Sequence, residues 1–244
     1  MKTVRLETAG RLVRAVIYTR ALATDSKAVR QAKMRCSSAA REAMNLRQSW
    51  QKLEVLMAAN FGPKDMVVTL TYRDARLPDS KAQAVNRLRR FLRDLRDARK
   101  LRGQELRYVY CTEGYHGDKR WHHHVILNAV GNDYDEIRSL WAVNGDDVDF
   151  QHIDQQSFED WARYLTKEPR EHGKPRVGEH MYVPSRKMKK PVMERASVSD
   201  TFSLTVPRGA VVLDQRESQN VYGEYIYIKY LLPRGVEPES LGSA

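Results

Sequence analysis

The chain has 244 residues, 41% of them apolar, with 42 Lys and Arg against 31 Asp and Glu and a formal net charge of +11. This suits one sizeable domain, or a core with two extensions, and no run of about 18 apolar residues is present to span a membrane. The opening Met1-Lys2-Thr3-Val4-Arg5 lacks the apolar core of a signal peptide, and two cysteines, Cys36 and Cys111, form neither a disulfide framework nor a zinc cluster, which points to reduced thiols in the cytoplasm.

In chain order, residues 3–20 hold one or two short strands. Residues 26–59 read as mainly helical, with apolar spacing through Met44, Trp50, Leu53, Leu56 and Met57, until Gly62-Pro63 stops the pattern. Residues 1–61 are therefore expected to be a basic, mainly helical extension. Residues 1–60 carry 12 basic and 4 acidic side chains, a cluster that suits a phosphate backbone.

A core is expected over 62–172. Met66 to Tyr72 is a β-rich run. Pro78-Asp79-Ser80 is a helix start, and the helix runs to about Leu101 with Gly103 as its stop. Val85, Leu88, Leu92 and Leu95 give it an apolar stripe, and Arg89, Arg90, Arg93, Arg96, Arg99 and Lys100 crowd the rest. Leu106 to Thr112 reads as a strand, and 121–128 as its hairpin partner across a polar turn. A short helix over Asp133 to Trp141, a strand over Val148 to Ile153 and a helix capped by Ser157 and reaching Lys167 follow. The order is strand, helix, strand, strand, helix, strand, helix: an α+β fold of the ferredoxin-like (RRM-like) split βαβ pattern, an antiparallel sheet with helices on one face. The tail, 173–244, has a basic loop (Arg186-Lys187-Met188-Lys189-Lys190) and strand-like runs at Phe202–Val206, Ala210–Leu213 and Tyr225–Leu232, and reads as a β-rich extension.

The chemistry concentrates in Trp121-His122-His123-His124-Val125-Ile126-Leu127. On a strand, alternate side chains share a face, so His122 and His124 point the same way while His123 points oppositely, towards packed helices. Their Cα atoms lie about 6.5–7 Å apart, close enough for two imidazoles to lean onto one metal. Glu113, at the end of the paired strand, is the expected third ligand, with His116 in the same turn as its competitor. Two imidazoles and a carboxylate leave open positions, which suits Mg²⁺ or Mn²⁺ with a phosphate and could also hold Zn²⁺. Tyr164 and Lys167, three apart on a helix, share a face. A tyrosine oxygen, with a pKa of about 10, attacks phosphorus when a metal-bound phosphate and a nearby ammonium favour the phenolate.

Three pieces in order carry a resemblance. Val67-Val68-Thr69-Leu70-Thr71-Tyr72 resembles the first motif of the HUH endonucleases, Glu113 with His122-His123-His124 their metal motif, and Tyr164-Leu165-Thr166-Lys167 their nucleophile motif. The tyrosine follows the histidines, as in the replication initiators of rolling-circle replication with a single catalytic tyrosine. The resemblance implies an HUH core that nicks single-stranded or hairpin origin DNA with Mg²⁺ or Mn²⁺. Tyr164 would become linked to the 5′ phosphate, leaving a 3′ hydroxyl for a polymerase and permitting later rejoining. Lacking a G-x-x-x-x-G-K-[ST] phosphate loop, the chain would rely on a host or element helicase and polymerase. Arg89, Arg90, Arg93, Arg96, Lys187, Lys189 and Lys190 are expected to contact DNA, mostly at phosphates. Alternatives are a single-tyrosine transposase and a non-catalytic nucleic-acid-binding module of the same fold, in which Tyr108 and Tyr110 would stack bases.

Overall fold

The structure is a computed structural model, and it describes residues 2–19, 38–114, 120–153, 158–166, 180–220 and 223–237. The chain is α+β, with two antiparallel five-stranded sheets and four helices among the described residues. It divides into two compact units, residues 60–188, and residues 1–59 with 189–244.

In the unit of residues 60–188 the elements are β3 (Met66–Thr71), α2 (Lys81–Leu101), β4 (Tyr108–Glu113), β5 (His122–Leu127), α3 (Asp133–Trp141), β6 (Val148–His152), α4 (Glu159–Leu165) and β7 (Val183–Pro184). The sheet order is β6-β3-β5-β4-β7, in which β5 separates β3 from β4. This is the ferredoxin-like arrangement expected from the order of elements. α2 begins where expected, with the Ser80 side chain accepting from the Gln83 N–H. It ends at Gly103, whose φ of 68° is the left-handed conformation that stops helices.

Strand alternation sorts this sheet into two faces. Met66, Val68, Leu70, Tyr110, Val125, Leu127 and Val148 meet Ala84, Leu88, Phe91, Leu92 and Leu95 of α2 and Ile137 and Trp141 of α3 in one apolar core. The core is tied at one end by a buried ion pair. Arg99 of α2 donates to Asp133 of α3 at 2.6 Å and to the Asn128 carbonyl at 2.9 Å. Burial pushes the Arg99 pKa down, and the Asp133 charge opposes that shift. The opposite face of the sheet carries Thr69, Thr71, Cys111, Glu113, His122 and His124.

In the other unit the elements are β1 (Lys2–Ala9), β2 (Leu12–Thr19), α1 (Ser38–Ala58), β8 (Val192–Val198), β9 (Val211–Asn220) and β10 (Gly223–Leu231). The sheet order is β8-β1-β2-β10-β9. β1 and β2 form a hairpin whose two-residue turn has Gly10 at φ 55°, as tight hairpin turns favour. The ends of the chain thus share one sheet: β1 pairs with β8 and β2 with β10. Lys229 and Glu54 form a buried ion pair at 2.9 Å. The strand expected over Phe202–Val206 is absent; residues 202–206 are irregular, and Leu204 and Val206 pack on the core of this sheet. They alternate because every second side chain covers apolar surface, not because the backbone joins a ladder. The strand at Val192–Val198 goes beyond the expected elements. Its side chains are exposed or half-buried throughout, so it lacks an apolar signal.

Candidate metal centre and nucleophile

The register of three strands builds the site. β5 lies between β3 and β4, and its His122 stands opposite Thr71 and Glu113, its His124 opposite Thr69 and Cys111. All these side chains share one face. His122 Nε2 lies 3.4 Å from one Glu113 carboxylate oxygen and His124 Nε2 3.7 Å from the other. One ligand atom from each of Glu113, His122 and His124 lies within 4.8 Å of the others. Glu113 and His124 are buried and His122 is half-buried.

The hydrogen bonds behind the imidazoles orient them. His122 Nδ1 lies 2.9 Å from the Arg120 carbonyl. A carbonyl only accepts, so this nitrogen carries the proton and Nε2 presents its lone pair. His124 Nδ1 lies 3.1 Å from the Thr69 hydroxyl, and the Tyr164 hydroxyl lies 3.0 Å from His124 Nε2. With Tyr164 donating there, His124 Nδ1–H donates to Thr69, and the same tautomer offers Nε2 to a metal. Two oriented imidazole lone pairs beside one carboxylate make a donor set that can hold a metal ion. Arg120 is itself anchored, its guanidinium donating to the Tyr72 carbonyl at 2.7 Å and pairing with Asp74 at 2.6 Å. Sequence reasoning misses the supporting roles of Thr69 and Arg120; only the strand register reveals them.

His123 faces the other way and is fully buried. Its ring nitrogens lie 2.7 Å from the Tyr72 hydroxyl and 2.9 Å from the Thr112 hydroxyl, and its ring packs edge-on to Trp141. Burial, with the neighbouring His122 and His124 adding to it, pushes its pKa down to about 3. His123 is therefore a neutral core residue that joins β5 to β3 and β4 on the helix side.

Tyr164, on α4, covers the metal-binding face, its ring edge-on to His124 at 5.0 Å and to Trp161 at 5.7 Å. Lys167 and His116 lie outside the described residues, as does Ser157. His152 and His180 are exposed and stand apart from the cluster.

Residues 65–169 match the family model of the replication-associated protein ORF2. The match covers the sheet, Glu113, the histidines and Tyr164, and it supports a Rep-like replication initiator that engages DNA. Neither the curated proteins nor the solved structures hold a match to this chain.

Of the side chains expected to contact DNA, Arg89, Arg93, Arg96 and Lys187 line one cavity. Arg90 is exposed on α2 and does not line it. Lys189 and Lys190 belong to the other compact unit. No helix among the described residues is long and apolar enough to cross a membrane.

Proposed function

We propose that this protein initiates rolling-circle replication by nicking single-stranded or hairpin origin DNA, with Tyr164 as the nucleophile. The observation that carries the proposal is the meeting of Tyr164 with the ligand cluster: its hydroxyl sits 3.0 Å from an imidazole nitrogen that belongs to that cluster. Glu113, His122 and His124 would hold a divalent ion, Mg²⁺ or Mn²⁺, whose Lewis acidity polarises a scissile phosphate and offsets its developing charge. Thr69 and the Arg120 carbonyl hold the two imidazoles in the tautomers this requires.

The Tyr164 oxygen attacks phosphorus as the phenol loses its proton. The bond from phosphorus to the 3′ oxygen breaks, that oxygen takes up a proton, and the 5′ phosphate stays on Tyr164. The phosphotyrosine ester retains the energy of the broken phosphodiester, so attack by a 3′ hydroxyl reverses the step and rejoins the strand. Lys167 would steady the phenolate or the DNA, and the element's or host's helicase and polymerase would extend the free 3′ end.

The test is a denaturing gel of the protein incubated with Mn²⁺ and labelled single-stranded oligonucleotides tiled across the parent element. A metal-dependent adduct that resists denaturant, and is lost in Tyr164→Phe and in His122→Ala, is the expected result. Tight binding with no adduct or cleavage on any tile would overturn the proposal in favour of a binding module.

A further inference from the structure

On the helix-covered face of the sheet, away from the Glu113–His122–His124 cluster, a cavity of about 930 Å³ runs between α2 and the sheet edge formed by β4 and β7. One wall is a row of cations. Arg89, Arg93, Arg96 and Lys100 recur at spacings of four, three and four, so they share one side of α2. At 1.5 Å per residue the row extends about 16 Å. Arg186 and Lys187 stand on the other wall. All six are exposed, and among the described residues none of them forms an ion pair with a carboxylate, although Glu105 also lines the cavity.

The floor has a different character. Leu106, Tyr108, Tyr110 and Val183 make it apolar and aromatic. Tyr108 and Tyr110 stack with ring centroids 6.1 Å apart and 29° between planes. The Arg96 guanidinium lies 6.0 Å over the Tyr108 ring and 3.3 Å from its hydroxyl. The Tyr110 hydroxyl lines the same cavity; it is buried and has no hydrogen-bond partner, which is costly unless a ligand group supplies one.

We propose that this groove is a second nucleic-acid site that takes single-stranded polynucleotide, with phosphates along the α2 cations and a base against Tyr108. An anionic chain that carries flat apolar rings fits a cationic wall over an aromatic floor. A duplex does not fit as well, because its bases are stacked on each other and show no free face to a recessed ring. The site lies across the sheet from Tyr164, so it holds a strand without touching the reacting phosphate.

The test is fluorescence anisotropy of a short labelled oligothymidine in EDTA. Both the variants and their reference carry Tyr164→Phe, so neither metal nor covalent capture contributes. Tyr108→Leu, which keeps an apolar filler, is expected to weaken binding about tenfold, and Tyr108→Phe, which keeps the ring, by less than about twofold. Arg89→Ala/Arg93→Ala is expected to weaken binding and to flatten the dependence of log affinity on log salt by about 1.4. Arg90→Ala, outside the groove, should leave affinity unchanged. An abasic strand of equal charge should bind more weakly than oligothymidine. Thermal melts of each variant establish that the fold is intact. Unchanged affinity in both Tyr108→Leu and Arg89→Ala/Arg93→Ala would overturn the proposal. So would equal binding of the abasic strand, which would reduce the groove to a charge patch, or tighter binding of duplex. The adduct assay at Tyr164 reads separately, so loss of either site leaves the other measurable.

Discussion

Thr69→Val isolates the support of one metal ligand. The Thr69 hydroxyl, 3.1 Å from His124 Nδ1, is the side chain that holds this imidazole from behind, whereas His122 is held by a backbone carbonyl that no substitution removes. Valine keeps the β-branched shape that suits β3, and Thr69 is only half-buried, so the strand should persist. The loss is the hydrogen bond that fixes the tautomer and rotation of His124, with a buried Nδ1–H left without its partner. Removing such a support typically costs 10–100-fold in metal affinity, or about 1.4–2.7 kcal/mol. Titration of the protein with Mn²⁺, read by the loss of the free-ion electron paramagnetic resonance signal, measures it directly. Thr69→Val should bind Mn²⁺ about 10–100-fold more weakly, and His124→Ala should lose more. If Thr69→Val binds as tightly as the parent while His124→Ala does not, the hydroxyl does not orient His124 and the reasoning fails.

Asp133→Ala removes the acceptor of Arg99 and of the Val130 and Gly131 N–H groups, leaving a buried guanidinium without its counter-charge. Chemical denaturation should show a loss of about 3–5 kcal/mol, with Arg99→Met/Asp133→Leu recovering most of it. His123 remains neutral when folded, its pKa of about 3 lying below the ordinary 6.5. The unfolded chain therefore takes up this proton first, and stability should fall by about 1.4 kcal/mol per pH unit from this group as pH drops below 6.5. Urea titrations between pH 7 and pH 5 should give a shallower pH slope for His123→Gln; equal slopes would contradict its neutral burial. Gly145→Ala places a Cβ 2.3 Å from the Thr71 carbonyl oxygen, a backbone atom that also accepts from Trp141. Crowding of this kind should cost about 1–3 kcal/mol, seen as a lowered melting temperature.

The sequence was most legible where local signals and burial agree. α2 starts and stops at its Ser80 cap and Gly103, and α3 spans Asp133–Trp141 as its pattern implies. The histidines could be placed on one face because alternation along a strand is a local rule. Their neighbours across the sheet could not. Thr69, Cys111 and Glu113 reach His122 and His124 through register, which depends on how separate strands align. The same limit hid the sheet of the other unit, where β1 pairs with β8 across nearly the whole chain. β8 carries mostly exposed and half-buried side chains, so its own composition does not announce a strand. At 202–206, the alternation that suggested a strand is instead a cover over the core formed with Leu6, Val13 and Ile228.

The most direct test of the central claim is where the DNA becomes attached. The protein would be reacted with Mn²⁺ and a cleavable single-stranded oligonucleotide, digested with nuclease and protease, and mapped by mass spectrometry. The account predicts a 5′-phosphonucleotide on the peptide that carries Tyr164, formed only with metal. A nucleotide on another of the 12 tyrosines, or cleavage that leaves no nucleotide on the protein, would contradict it.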